Sequence, residues 1–250
     1  MSLIETRFRS LKRAQAERKP LDQQPPLLHG YIGRATCELP EDGTGTPPFD
    51  FFQTTFAVPP APLKSEGQTI FLFPGVQPSR TSKHIAVLQP VLQWGPSATG
   101  GSNSWTVQTY YVRGTAETGL DVGAYSSRRD VNVGDQLNAV IKLEDARDVG
   151  GVRTYFYSSN LQGIDGTYLG VDVPEPFVQI GLAIEIYAGA SCNSLPNDNS
   201  ITLHSVIKSA DVTLSPNWQI VAEAMCAFTA TATERNGVQE VAFNYDLSGT

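Results

Sequence analysis

The stretch Ala86-Val-Leu-Gln89-Pro-Val-Leu-Gln93-Trp94 decides the fold class. It is an apolar run of strand length whose polar residues stand at one parity only. Side chains alternate between the two faces of a strand. Leu88, Leu92 and Trp94 therefore share one face, and Gln89, Val91 and Gln93 the other. A second run, Leu182-Ala-Ile-Glu185-Ile-Tyr187, divides the same way, with Leu182, Ile184 and Ile186 opposed to Ala183, Glu185 and Tyr187. An amide and a carboxyl in mid-strand, away from the loops, are what a groove lying on a sheet needs. The plainer reading is two satisfied polar residues on a solvated sheet face.

Outward from these runs the chain is a succession of short apolar or alternating segments, each closed by turn residues. Asp50–Val58 ends at Pro59-Pro60, Ile70–Phe73 at Pro74-Gly75, the glutamine run at Gly95-Pro96, and Trp105–Val112 at Arg113-Gly114. Val131-Asn-Val-Gly134-Asp135 turns into Leu137–Leu143, followed by Val152–Ser158, Val178–Tyr187 and Ile201–Ile207. This punctuation predicts an all-β protein, an antiparallel β-sandwich or jelly roll of concanavalin-like type. Asn236-Gly237 is a favoured two-residue turn and predicts a C-terminal hairpin over about 227–245. Prolines inside runs mark strand edges or bulges, and a bulge at Pro90 would re-aim Gln89.

The 250 residues fit one sandwich domain, taken as 29–250. Residues 1–28 read as a basic arm and Pro-containing linker, with a short helix over about 3–19 carrying Ile4, Phe8 and Leu11 at helical spacing. Residues 1–20 hold six basic side chains against two acidic ones, whereas the whole chain has net charge -7. That balance excludes a general nucleic-acid binder, and no apolar run approaches the length of a membrane span. The arm lacks the apolar core of a secretory signal, which leaves the compartment open between the cytoplasm and a processed secreted form. Oligomeric state is not legible.

His29, His84 and His204 stand in no metal-binding spacing, and no nucleophile elbow, Walker or dinucleotide motif occurs. Cys37, Cys192 and Cys226 match no zinc pattern; free buried thiols are the default, with a Cys192–Cys226 bridge the alternative for an extracellular protein. Gln89 and Glu185 remain as candidate chemistry. A carboxyl can activate water, while an amide, which cannot ionise, orients it and donates to a developing oxyanion. Aromatic residues cluster along the chain, Trp105, Tyr110, Tyr111 and Tyr187 among them. An aromatic-lined groove suits an extended peptide or a sugar ring.

At these residues the sequence resembles the glutamic peptidase (eqolisin) family, β-sandwich proteins with a catalytic Gln and Glu on neighbouring strands of a concave sheet. Val87-Leu88-Gln89 is similar to the family's Ile-Leu-Gln strand, and Leu182-Ala183-Ile184-Glu185 to its Trp-Ile-Val-Glu strand. Phe56-Ala-Val-Pro59, the Leu72–Gln77 segment, the Trp105–Tyr111 strand, the Val131–Asp135 turn and the Ile201–Val206 strand fall in matching order over roughly 49–207. The sequence departs from the family where Gln77 stands for an Asp and where Val107-Gln108-Thr109-Tyr110 lacks the acid of the Trp-Tyr-Glu-Trp strand.

The resemblance implies a hydrolase cleaving amide bonds at acidic pH, without metal or cofactor. Glu185 would be general base and then acid, and Gln89 the water-positioning and oxyanion-stabilising amide. Gln77, Gln93, Trp105, Tyr110 and Tyr187 would line the substrate groove. The alternative is a non-catalytic, lectin-like module that binds a glycan or peptide on the same face, and a glycan lyase or glycan hydrolase ranks third.

Overall fold

A computed structural model describes residues 28–40, 46–115 and 119–248. The basic arm and its expected helix lie outside the described residues. In chain order the strands are β1 Leu28–Glu38, β2 Phe51–Ala57, β3 Thr69–Gln77, β4 Ile85–Trp94, β5 Trp105–Thr115 and β6 Gly119–Tyr125. They continue with β7 Arg129–Asp130, β8 Gln136–Val149, β9 Val152–Leu161, β10 Leu169–Val173 and β11 Gln179–Gly189. The last are β12 Ser200–Ser209, β13 Val212–Thr213, β14 Gln219–Ala222, β15 Thr229–Arg235 and β16 Val238–Asn244. Two short 3-10 turns, Cys192–Ser194 and Met225–Ala227, are the helical elements among the described residues.

The strands form two antiparallel sheets. One runs β14-β1-β11-β3-β4-β5-β6 with β7 on β5; the other runs β10-β9-β8-β2-β12-β16-β15 with β13 on β12. The architecture is the expected β-sandwich. Between the sheets lies the core, where Leu88, Leu92 and Trp94 of β4 and Leu182, Ile184 and Ile186 of β11 meet residues such as Phe52, Leu203 and Phe243 of the facing sheet. Strand alternation therefore leaves Gln89 and Glu185 on the outer face of the first sheet. The C-terminal hairpin is β15–β16, turning at Asn236-Gly237, where both residues have positive φ.

Three expectations need correction. β3 does not stop at Pro74-Gly75 but continues to Gln77. Its Pro74 stands opposite Pro90 of β4, on the offset set by Leu72–Leu92 and Val76–Leu88, and the ladder is open between those pairs. Two prolines in apposition place their missing donors in one gap, so neither leaves a partner strand unpaired elsewhere. β4 also keeps an unshifted register with β5 through Gln89–Tyr110 and Pro90–Thr109, so no bulge re-aims Gln89. Finally, Cys192 and Cys226 are bridged, with Cα atoms 5.5 Å apart, and tie the two 3-10 turns together; only Cys37 is a free, buried thiol.

The two faces of β4 differ sharply in what they tolerate. Leu88→Gln, which puts an amide into a fully buried core site, is expected to cost at least about 3 kcal/mol. Gln89→Leu is expected to change stability by less than about 1 kcal/mol. Urea denaturation of both variants checks the assignment.

Candidate active site

The outer face of the first sheet is a lattice of side chains fixed by register. Glu185 of β11 pairs with Phe71 of β3, and Phe71 with Gln93 of β4. Gln89 lies four residues from Gln93 along β4, beside Tyr110 of β5. β3 therefore separates the strands of Gln89 and Glu185, which are not neighbours as the resemblance implied. On an ideal sheet, two strand spacings of about 4.8 Å and four residues of about 3.3 Å put the two Cα atoms about 16 Å apart. Two extended side chains of about 5 Å come within one water of each other only where both lie down along the line between them, over Phe73 of β3.

Gln89 and Glu185 line one cavity of ≈ 90 Å³, together with Phe71, Tyr110 and Tyr187. Liquid water occupies about 30 Å³ per molecule, so the space suits a few waters or a small side chain. Residues 97–99 of the β4–β5 connection form one wall. They are held down by polar contacts that use up the remaining amides of the strip. Gln93 donates to the carbonyls of Gly95 (2.7 Å) and Gly100 (3.0 Å) and accepts from the Tyr110 hydroxyl (2.8 Å). Arg128 donates to the Thr99 carbonyl at 2.6 Å, and the Thr99 hydroxyl donates to Gln108 Oε1 at 3.0 Å.

Glu185 is only 6% exposed, and a carboxylate at that depth requires donors. The Tyr187 hydroxyl donates to Glu185 Oε2 at 3.1 Å. Tyr31, on the adjacent β1, bonds to the same carboxyl through its hydroxyl. Tyr187 is steadied in turn by edge contacts with His29 and Phe71, at ring-centroid distances of 5.1 and 6.0 Å. Burial, reinforced by the Glu185 charge, holds the pKa of both tyrosines well above the ordinary phenol value. Tyr31 is half-buried as a residue, but its hydroxyl end lies in the desolvated cluster. Both phenols thus remain donors across any pH at which a carboxyl chemistry would operate.

Of the expected groove residues, Tyr110 and Tyr187 line the Gln89–Glu185 cavity. Gln77 lines an adjoining cavity on the same sheet face. Gln93 points the right way but is fully buried and serves as a clamp for the loop. Trp105 is misplaced by the expectation: it packs in the core, 5.4 Å from the Trp94 ring. Odd-numbered Trp105 and even-numbered Tyr110 must face opposite sides of a regular strand, so both could not line the groove. Tyr31 and His29, outside the expected groove set, stand on β1, whose register shifts and glycines break the alternation that marks a strand. Among the described residues no three His, Cys, Asp or Glu side chains converge to hold a metal ion.

No protein-family model matches the sequence, and no curated protein matches it. Solved structures do match. Scytalido-glutamic peptidase with a transition-state analogue inhibitor is similar at a TM-score of 0.52 and 13% identity, covering 87% of this chain and 99% of that one. The same peptidase with a peptide-based transition-state analogue gives 0.50 and 11%, over 87% and 99%. The superposition thus spans more of the chain than the stretch 49–207. This protein has the β-sandwich fold of the glutamic peptidases.

A tyrosine whose pKa is raised in the folded state contributes stability that is complete below the unfolded pKa, near 10, and lost as pH rises above it. Alkaline unfolding is therefore expected to set in above about pH 10. Tyr187→Phe should weaken that dependence and abolish one high-pH step in a 295 nm phenolate titration; an unchanged titration would contradict the cluster.

Proposed function

We propose that this protein is a glutamic-peptidase-like hydrolase of peptide bonds, with Glu185 and Gln89 as its catalytic residues. The observation that carries the reading is that both side chains, far apart in sequence, line one small cavity on the outer face of a glutamic-peptidase fold. Glu185 takes a proton from a cavity water, whose oxygen attacks the amide carbonyl carbon. The Gln89 carboxamide donates to the oxygen that becomes the oxyanion. Glu185 then passes its proton to the departing amine nitrogen as the C–N bond breaks. Because Glu185 must cycle through its protonated form, acidic pH is favoured.

Tyr31 and Tyr187 hold the carboxyl in place and occupy part of its accepting capacity, which leaves the remaining lone pairs to the water. The cavity wall favours peptide over glycan. Phe71, Val87, Val112 and Val122 give it an apolar lining, which suits an amino-acid side chain better than a row of sugar hydroxyls.

Wild-type protein is expected to cleave an acid-unfolded protein substrate in acid, between about pH 3 and 5. Glu185→Gln should leave only a small residual rate, and Gln89→Ala should lower kcat by about 10²–10³-fold, as loss of one oxyanion donor does. Absence of cleavage by the wild type across that range, or full activity in Glu185→Gln, would overturn the reading.

A further inference from the structure

Across the buried ring of Phe73 from the Gln89–Glu185 cavity lies a second one of ≈ 220 Å³, lined by Tyr31, Arg34, Phe73, Gly75, Gln77 and Gly181 among others. Its floor is a pair of glycines. Gly75 of β3 and Gly181 of β11 are directly opposed in register, in the middle of the sheet. Neither has a positive φ. A Cβ built on either meets nothing closer than 3.4 Å, an ordinary contact. Neither conformation nor packing therefore calls for glycine, which weakens a strand interior relative to other residues. What the two glycines provide is bare backbone that another chain can approach. The strip leads directly to Gln89, whose Cβ is 3.6 Å from the Cβ position of Gly75.

The far wall carries positive charge. In β1 the register with β11 shifts between Tyr31 and Gly33, so two successive residues, Ile32 and Gly33, turn inward. That bulge sets both Tyr31 and Arg34 on the groove face. The Arg34 guanidinium lies over the Tyr31 ring at 5.6 Å. Among the described residues it makes no ion pair, whereas Arg80 on the same wall is shared with Glu38 at 3.4 Å and with Gln219 at 3.0 Å. A guanidinium with no ion-pair partner among the described residues, set in a concave site of a chain of net charge -7, is suited to a carboxylate brought by a ligand.

We propose that this second cavity is a subsite for an acidic side chain of an extended peptide that crosses the Gly75–Gly181 floor, with Arg34 as its carboxylate partner. The inference rests on the peptidase reading for the nature of the ligand, and it supplies the specificity of that site. From Gln89 on β4 to Arg34 on β1 the chain crosses three strand spacings, about 14 Å. An extended peptide advances about 3.4 Å per residue, so the acidic residue stands about four residues from the bond held at Gln89.

The test uses Glu185→Gln protein, whose turnover is negligible over a binding measurement, and fluorescein-labelled decapeptides in which each position in turn is Glu or Gln, read by anisotropy at pH 6 and low salt. At one position Glu should bind about tenfold more tightly than Gln, the effect of one hydrogen-bonded charge pair. Arg34→Gln should erase that preference, and Gly181→Val should weaken both peptides without lowering the thermal unfolding temperature. Equal affinity at every position, no binding of any peptide, or a preference that survives Arg34→Gln would overturn the proposal. If the acidic preference is found while wild-type protein cleaves none of the bound peptides, the subsite stands and the hydrolase reading falls. Cleavage by the wild type without any acidic preference gives the reverse.

Discussion

The central strands of the first sheet have to send alternate side chains into the space between the sheets, and this constraint organises the rest of the molecule. Leu88, Leu92, Leu182, Ile184 and Ile186 fill that space, which leaves Gln89 and Glu185 only the opposite face. A slip of one residue in either strand would bury an amide or a carboxyl among aliphatic side chains and expose the leucines, at a cost far above the few kcal/mol by which domains are stable. The same rule sets the lateral relations on the outer face. Register carries Glu185 across Phe71 to Gln93, and carries Gly181 across to Gly75.

Polar residues around the Gln89–Glu185 cavity fall into three roles. Gln93, Gln108 and Arg128 are spent on folding the β4–β5 connection back over the sheet. Tyr31 and Tyr187 are spent on Glu185, whose burial would otherwise be costly. Gln89 is the amide that remains half-buried and borders the cavity. A carboxyl with neutral donors around it and an amide at the other end of a small, mainly apolar space can share water only if the two side chains lean toward each other. Sheet twist and curvature make this easier than the flat lattice suggests.

Much of this was legible in the sequence because alternation is a strong signal where strands are regular. β4 and β11 were readable to the face, and the C-terminal hairpin to its turn. What was hidden lies where regularity fails. β1 mixes Gly30 and Gly33 with a bulge, so its apolar residues do not alternate, and with it went Tyr31, Arg34 and His29. The Pro74–Pro90 apposition looks like two strand ends until the strands are placed side by side. β6, β10 and β14 are short and carry little pattern of their own. The Cys192–Cys226 bridge depends on two turns whose proximity is set by both sheets. Trp105 shows the opposite case, since parity against Tyr110 already assigned it to the core.

The central claim is that Gln89 and Glu185 act on one solvent molecule in one cleft, and a double-mutant cycle on kcat tests it most directly. Residues that work as a unit are strongly non-additive. With Glu185→Gln already in place, adding Gln89→Ala should cost almost nothing further. If the two losses instead multiply, each side chain acts alone, and the shared site does not exist.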